Sequence, residues 1–456
     1  MNSCQTSEDH LRILTLSELF PTPVRPAAGN FVERQVANLR GECDQTVIVP
    51  IRVFPHLRIW RHGMNLFQLS AEFRNWKAEL SQIPSRTEIG GVDVFYPKYT
   101  SPPKQGGYSL WGYSAYLFLR RQIKRLHAQR GFELVHAHYP SPCGVIAMLA
   151  KGWMRVPVVL SVHGADVRYA AEQHRLGAKV TRHVLRSVDS IIVHSSWTKR
   201  QVVEYGGDPT RIYMVPLGGD APLEVGSGTP NNDGQEKRIR TLLSVGYLER
   251  RKGHWYVILA LRRLLDMGYS LEYVIVGDGP EQKRLARLVQ DLNLMHAVRF
   301  EGIKRHEEVW PYYTECDIFV LPSWDEAFGV VYVEALGLGR VAIGCIGQGG
   351  PEDLKRLGDC IELVKPRDVD SLVHALKLLL DNPDRRTRMG EIGQTLVRSK
   401  YTWKRNALGT AAIYRDLISR RAVDDEKGRM SQRISANVSV THGEAGQLGP
   451  GAIGDG

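Results

Sequence analysis

Asp325-Glu326-Ala327-Phe328-Gly329-Val330-Val331-Tyr332-Val333-Glu334 follows the short apolar run Ile318 to Leu321, bounded by Pro322, and leads into a helical pattern through Ala335 and Leu336. The order is strand, loop, helix N-terminus. Two carboxylates, Glu326 and Glu334, bracket a Phe-Gly turn. The first backbone N–H groups of a helix lack intrahelical partners and carry the positive end of its dipole, so they attract anions. A phosphate on those donors, with carboxylates placed to accept hydrogen bonds from hydroxyls, describes a site for a nucleotide sugar.

The strands around this stretch determine how it is presented. Apolar runs at Leu11–Leu16, Thr46–Ile51, Val92–Tyr96, Glu133–Ala137, Val158–Val162, Ser190–Val193 and Arg211–Val215 alternate with helical patterns. A Gly-, Pro-, Asn-, Asp- and Ser-rich segment, 218–238, then reads as a linker. A second series follows at Thr241–Val245, Leu271–Val276, Val298–Phe300, Asp317–Leu321, Val341–Cys345 and Cys360–Val364. Alternation of this kind predicts open parallel sheets covered on both faces, with ligands off the carboxyl ends of the strands. The expected architecture is α/β: two Rossmann-like, doubly wound domains, 10–220 and 235–400, facing a central cleft. A helix over 401–420 and a polar, Gly-rich, disordered tail over 421–456 are expected to follow.

The chain has 456 residues and six cysteines (Cys4, Cys43, Cys143, Cys316, Cys345, Cys360), well separated and without a C-x-x-C. This spacing argues against a disulfide framework or a zinc site and for a reducing compartment. The polar N-terminus lacks a signal-peptide core, and no apolar run approaches the ~20 residues that span a bilayer. The expected location is cytoplasmic, or peripheral at the inner face of a membrane. The net charge is +11, and residues 51–130 hold 13 Lys/Arg against 4 Asp/Glu. That region interleaves Trp60, Phe67, Phe73 and Trp76 with Arg58, Arg61, Arg74 and Lys77. It goes on to place Tyr108, Trp111, Tyr113, Tyr116 and Phe118 before Arg120, Arg121, Lys124 and Arg125. Such a pattern suits either an anionic membrane surface or a core with a solvated rim. No feature calls for a nucleic-acid partner.

Several strand ends carry groups suited to a ligand. Val32, Gln35, Val36 and Leu39 repeat at helical spacing behind Gly29-Asn30, where a glycine lets backbone approach a ligand closely. His163 ends the run Val158–Val162 and is followed by Gly164, which points the imidazole at the crevice. His138 also ends a strand, and there a structural role is equally compatible. Arg250, Arg251 and Lys252 lie between a strand and a helix and suit a diphosphate. Gly277-Asp278-Gly279-Pro280, Gly302-Ile303 and Gly347–Glu352 are further strand-end turns, each unspecific alone. Asp368-Val369-Asp370 opens a helix beside Ser371 and reads as N-cap chemistry rather than a metal site.

Together these motifs resemble the retaining family 4 glycosyltransferases of GT-B fold. The run LPSWDEAFGVVYVEALGLG (Leu321–Gly339), with its E-x7-E pair Glu326 and Glu334, is similar to the donor-domain signature of that family. VGYLERRKG (Val245–Gly253), VGDGP (Val276–Pro280) and SVHGADV (Ser161–Val167) match in order and spacing. FVERQ (Phe31–Gln35) and IGCIGQGGPED (Ile343–Asp353) are similar to a subgroup from teichuronic-acid, capsule and exopolysaccharide clusters. The resemblance implies that Glu334 holds ribose hydroxyls, Glu326 contacts the donor sugar, and Phe328, Gly329 and Val330 line sugar and phosphate through backbone N–H. Lys252 would neutralise the diphosphate and His163 would sit at the reacting sugar. Gly29 and Asn30 would face the diphosphate across the cleft, and Gly302 and Ile303 would border the base. One departure stands out. Many members carry Arg after the glycine matching Gly246, and here that position is Tyr247, with Arg250 or Arg251 as the available substitute.

The implied reaction is transfer of a sugar, with retention, from a UDP- or GDP-linked donor to a glycan or lipid-linked acceptor, without a metal or other cofactor. Glu326 and Glu334 are eight residues apart, ~12 Å along a helix. Retaining hydrolases need carboxyls about 5–5.5 Å apart. The two are therefore expected to grip different parts of one donor. A nucleotide-sugar 2-epimerase and a catalytically inactive binding subunit are the rival readings of such a fold.

Overall fold

The computed structural model describes residues 10–26, 28–53, 66–102, 107–164, 166–172, 175–219 and 239–444. Most of the expected linker (its residues 220–238), the residues Arg58, Trp60 and Arg61, and 445–456 at the end of the expected tail lie outside them. Two large sheets carry the fold. The first contains β1 (Leu11–Leu16), β2 (Cys43–Ile48), β4 (Arg86–Ile89), β5 (Val92–Phe95), β7 (Leu134–His138), β8 (Val158–Val162), β9 (Ser190–Val193) and β10 (Ile212–Met214). Its order is β10-β9-β8-β7-β1-β2-β5-β4, and every pair is parallel except β4 with β5. A small two-stranded sheet joins β3 (Ile51–Arg52) to β6 (Lys98–Tyr99). The second large sheet contains β11 (Arg240–Val245), β12 (Leu271–Val276), β13 (Val298–Gly302), β14 (Ile318–Val320), β15 (Val341–Cys345) and β16 (Ile361–Val364). It is parallel throughout, in the order β13-β12-β11-β14-β15-β16.

This order creates the site. In each sheet the chain winds outward from one central strand, then crosses back and winds the other way. The reversal falls between β1 and β7 in the first sheet and between β11 and β14 in the second. Helices diverge from the carboxyl ends of the strands at such a switch point and leave a crevice. The loops bordering the crevice of the second lobe are those after β11, with Arg250–Lys252, and after β14, with Asp325–Gly329. The strands themselves are apolar and almost wholly buried, as sheets with both faces covered require.

Two expectations need correction. The strand expected at Thr46–Ile51 is instead β2, ending at Ile48, and Ile51 opens β3. Pro50 has no N–H to donate and separates the two. The helix expected over 401–420 runs Trp403–Glu444, into the stretch expected to be disordered. Residues 421–444 contain only Gly428 and Gly443 as glycines and no proline. They are polar but compatible with helix, and the glycines concentrate after them. The expected helix behind Gly29 is present as Asn30–Leu39, burying the four residues read from the spacing, Val32, Gln35, Val36 and Leu39.

The helix from Trp403 returns the chain to the first lobe. Ala407, Ala411, Ile413 and Tyr414 pack on Ile13, Leu39, Leu134, Val159 and Ile192. Gln35 Nε2 donates to Asn406 Oδ1 at 2.9 Å and to Thr410 Oγ1 at 3.3 Å, and Arg415 pairs with Glu42. Trp403 is buried against Gly218, where a Cβ would lie 2.3 Å from the Trp403 nitrogen. The lobes are thus joined at the last helix as well as at the 220–238 segment.

Candidate active site

Lys252 and Glu326 meet at the second lobe's switch point. The Lys252 Nζ donates to Glu326 Oε2 at 2.6 Å, and the two side chains are only 12% and 10% exposed. Ser323 Oγ donates to the same oxygen at 3.0 Å. Burial alone would raise the Glu326 carboxyl, but Lys252, Arg251 and Ser323 outweigh it and hold the group below its ordinary value. The group is therefore a carboxylate at neutral pH. Removing one member of such a buried pair strands the other charge, at ~3–5 kcal/mol. Arg251 pairs with Glu249 at 2.6 Å and reaches the Asp325 carbonyl at 3.5 Å, whereas Arg250 is exposed. Of the two arginines, Arg251 stands nearer the site. Tyr247 is 61% exposed.

Gly329 is left-handed (φ 74°) and starts the helix Val330–Gly337 without a capping side chain. The first N–H donors of that helix have no partner within its own turn. Phe328 is buried beside Tyr401 and anchors the loop through its ring. The Gly-rich turn after β15 supports this loop. Gly349 N donates to the Glu326 carbonyl at 3.0 Å, and Gln348 Oε1 accepts from Glu326 N at 2.9 Å. A Cβ on Gly350 would sit 1.6 Å from the Phe328 carbonyl oxygen. Gly349 and Gly350 thus serve protein packing, whereas Gly347 (φ 80°) has open space above it and serves the turn. Gly277 and Gly279 also serve packing, since a Cβ there would meet the carbonyls of Gly246 at 2.0 Å and Leu248 at 2.5 Å. Gly302 (φ 69°) has open space above it and Ile303 is 74% exposed. Asp368 accepts from Ser371 N at 2.9 Å, as N-cap chemistry requires.

Glu334 lies one turn into the helix and is buried. Its carboxylate accepts from His306 Nε2 at 2.8 Å and from the Tyr313 hydroxyl at 2.8 Å.

The first lobe closes on this surface. A Cβ on Gly164 would lie 2.3 Å from the Ala327 Cβ, so only a glycine after His163 allows the lobes to meet. Arg168 pairs with Asp325 at 3.1 Å. Ser196 donates from N and Oγ to Asp353, at 2.7 and 2.6 Å. The helix Asn30–Leu39 contributes Phe31, whose ring lies 4.8 Å from His163 and also packs on the second lobe's core. Gly29 caps that helix in the left-handed region (φ 71°), where a Cβ would lie 2.2 Å from the Leu19 carbonyl oxygen. Asn30 is its first residue, and the close approach that Gly29 permits is to the Leu19 carbonyl rather than the expected approach to a ligand.

His163 belongs to a chain of imidazoles that the sequence reading did not assemble. His194 Nδ1 contacts the Val215 carbonyl at 2.7 Å, which only accepts, so that nitrogen carries the proton. His194 Nε2 must then accept from His163 Nδ1 at 3.1 Å, and His163 Nε2 accepts from His138 Nδ1 at 2.9 Å. One backbone carbonyl therefore sets three neutral tautomers. His136 is tied separately to Tyr414 at 2.6 Å and Ser161 at 2.8 Å. Burial, reinforced by neighbouring imidazoles, lowers His163 and His138 well below the ordinary histidine value. It lowers His136 to about 3 and His194 to about 4. His194 follows β9, which neighbours β8 in the sheet, so the signal was its position at a strand's carboxyl end. Asp166 accepts from the N–H groups of His163 and Gly164 at 3.3 and 2.6 Å, and burial raises it to about 7.

Comparison with known proteins agrees with this fold. Residues 80–221 match the family model described as Glycosyltransferase Family 4, and residues 230–396 match that of glycosyl transferases group 1. The chain is a family 4-like glycosyltransferase of GT-B fold. The putative teichuronic acid biosynthesis glycosyltransferase TuaC of Bacillus subtilis is 26% identical over 378 residues, covering 80% of this chain and 88% of the relative. A D-inositol 3-phosphate glycosyltransferase of Corynebacterium kroppenstedtii is 29% identical over 315 residues, covering 63% of this chain and 68% of the relative. Among solved structures, sucrose-phosphate synthase of Thermosynechococcus elongatus has the same fold, with TM-score 0.69 at 20% identity over 90% of this chain and 100% of the other. Anabaena HepE in complex with UDP-glucose superposes with TM-score 0.61 at 17% identity, over 89% and 99%.

The histidines give a pH prediction for this glycosyltransferase. Their folded-state values lie below the ordinary 6.5, so they contribute stability above pH 6.5 that is lost as pH falls through about 4 and then about 3. Urea unfolding between pH 7.5 and 4 should show falling stability, with a shallower slope in His194→Asn. Equal slopes for the two proteins would contradict the burial of neutral His194.

Proposed function

We propose that the protein transfers a sugar from a nucleoside diphosphate sugar, UDP- or GDP-linked, to a glycan or lipid-linked acceptor with retention at the anomeric carbon. The observation that carries this reading is the buried Lys252–Glu326 pair beside the uncapped N-terminus at Gly329. Leaving-group departure builds negative charge on the diphosphate, and fixed cationic and N–H donors stabilise that charge more in the transition state than in the ground state. Lys252, Arg251 and the first N–H groups of the helix supply them without a metal. The UDP-glucose complex of the similarly folded HepE supports a nucleotide-sugar donor, and the name of TuaC supports a polysaccharide acceptor.

The state of the carboxylates bears on the route to retention, because it disfavours a covalent glycosyl-enzyme. Glu326 is engaged by Lys252 and Ser323, and Glu334 by His306 and Tyr313. Neither is a free nucleophile. In this reading the acceptor attacks from the face the diphosphate leaves, and the departing phosphate takes the acceptor proton. Glu326 orients sugar hydroxyls and Glu334 the ribose; His163, with both ring nitrogens engaged by His194 and His138, offers the reacting sugar a packing surface rather than a hydrogen bond. Radiolabelled UDP- and GDP-sugars, incubated with and without membrane lipid extract, should give an acceptor-dependent glycosylated product. Lys252→Ala and Glu326→Gln should each lower transfer by about 10²–10³-fold. Transfer near the wild-type rate in either variant would overturn the assignments.

The acceptor side of the reading draws on the basic region. No helix among the described residues is long and apolar enough to cross a membrane. In the helix Trp111–Arg130, Trp111 is buried and Tyr113 and Tyr116 pack on the core, so these aromatics are structural. Leu117 (63%) and Phe118 (54%) are exposed, together with Arg120, Arg121, Lys124 and Arg125. Apolar side chains amid cations suit the headgroup boundary of an anionic bilayer. The protein should float with anionic vesicles at low salt, and Phe118→Ser with Arg121→Glu should abolish flotation. Failure of the wild-type protein to float would remove the membrane surface from the account.

A further inference from the structure

The Glu334 carboxylate is connected to the opposite lobe through one side chain. His306 opens the helix His306–Glu315 of the second lobe, and its Nε2 lies 2.8 Å from Glu334 Oε1. Its Nδ1 lies 3.0 Å from Arg34 Nη2, on the first-lobe helix Asn30–Leu39. Guanidinium nitrogens have no lone pair to offer, so Nδ1 is the acceptor and Nε2 carries the proton. Nε2 therefore donates to Glu334. The contacts with Arg34 and Glu334 call for the same tautomer, so Arg34 fixes the ring in the orientation that Glu334 uses. Trp310, one turn along, holds the ring edge-on at 4.7 Å, and the Tyr313 hydroxyl holds the other carboxylate oxygen at 2.8 Å. Each Glu334 oxygen keeps a second lone pair, enough for one hydroxyl apiece.

We infer that His306 is a positioning residue through which Arg34 of the first lobe orients the nucleotide-binding carboxylate of Glu334, so that donor binding and lobe closure favour each other. The inference rests on the proposed donor reading for Glu334. When the lobes part, Arg34 withdraws and the His306 ring is tethered through Nε2 alone, so the carboxylate loses the fixed direction of one of its two orienting donors. Coupling of this kind is reciprocal, so a nucleotide held by Glu334 stabilises the closed arrangement in turn. Arg34 acts without touching the nucleotide.

The test is titration of the full chain with UDP, GDP, ADP and dTDP by calorimetry, alongside donor KM and kcat. His306→Phe keeps the ring against Trp310 and removes both hydrogen bonds. It should weaken binding of the preferred diphosphate and raise donor KM roughly tenfold or more. Arg34→Met should move both in the same direction, and the double variant should be no weaker than His306→Phe alone. His306→Gln should recover most of the affinity, because one amide accepts from Arg34 and donates to Glu334. Wild-type affinity in Arg34→Met, additive losses in the double variant, or no recovery in His306→Gln would overturn the inference. Binding of none of the four diphosphates by the wild-type protein would instead refute the donor reading, and this inference with it.

Discussion

The Lys252–Glu326 ion pair is the interaction on which the donor lobe depends. A carboxylate and an ammonium this deeply buried repay their desolvation only when the geometry is good and further hydrogen bonds fill the remaining positions. The surroundings supply that. Ser323 donates to the carboxylate, Gln348 holds the Glu326 backbone, and Gly349 binds its carbonyl. Gly253, left-handed after Lys252, lets the cationic turn pass within a Cβ's reach of the Pro322 carbonyl, at 2.4 Å. Three loops from three strands thus converge on one pair, and the helix N-terminus at Gly329 is delivered beside it.

Sheet order explains why these loops meet. The β11 and β14 loops are adjacent because the chain reverses direction of winding between those strands. The same reversal in the first sheet brings the Gly29 helix and the His163 strand to the opposite wall. Gly164 facing Ala327, Arg168 on Asp325, Ser196 on Asp353 and Arg34 on His306 then describe a cleft whose walls touch. The imidazole of His163 is held between His194 and His138 with its protonation set by a backbone carbonyl. Its orientation is fixed before a substrate arrives.

Local patterns were legible in the sequence where a single element determines them. The four buried positions of the Asn30–Leu39 helix follow from 3.6-residue spacing, and the parallel strands from apolar runs. Lys252, Glu326 and His163 were recognisable because each sits at a strand's carboxyl end, where a doubly wound sheet presents its ligand groups. Long-range pairings were not legible. His194, Arg34 and His306 acquire meaning only from neighbours 31, 272 and 28 residues away in sequence. The Gly-rich turns at 277–279 and 347–350 looked like ligand loops, because close backbone approach has the same residue signature for a ligand and for protein packing. The helix beyond residue 420 was missed because polar composition fits both a disordered tail and a solvated helix.

On the proposed reading, the donor diphosphate is held by Lys252 and the backbone at Gly329. A crystal structure of the protein with UDP or GDP tests this most directly. The diphosphate is predicted within hydrogen-bonding distance of Lys252 Nζ and the N–H groups of Gly329 and Val330, with the ribose hydroxyls on Glu334. A diphosphate seated at the Gly277–Gly279 turn, or on the first lobe alone, would contradict it.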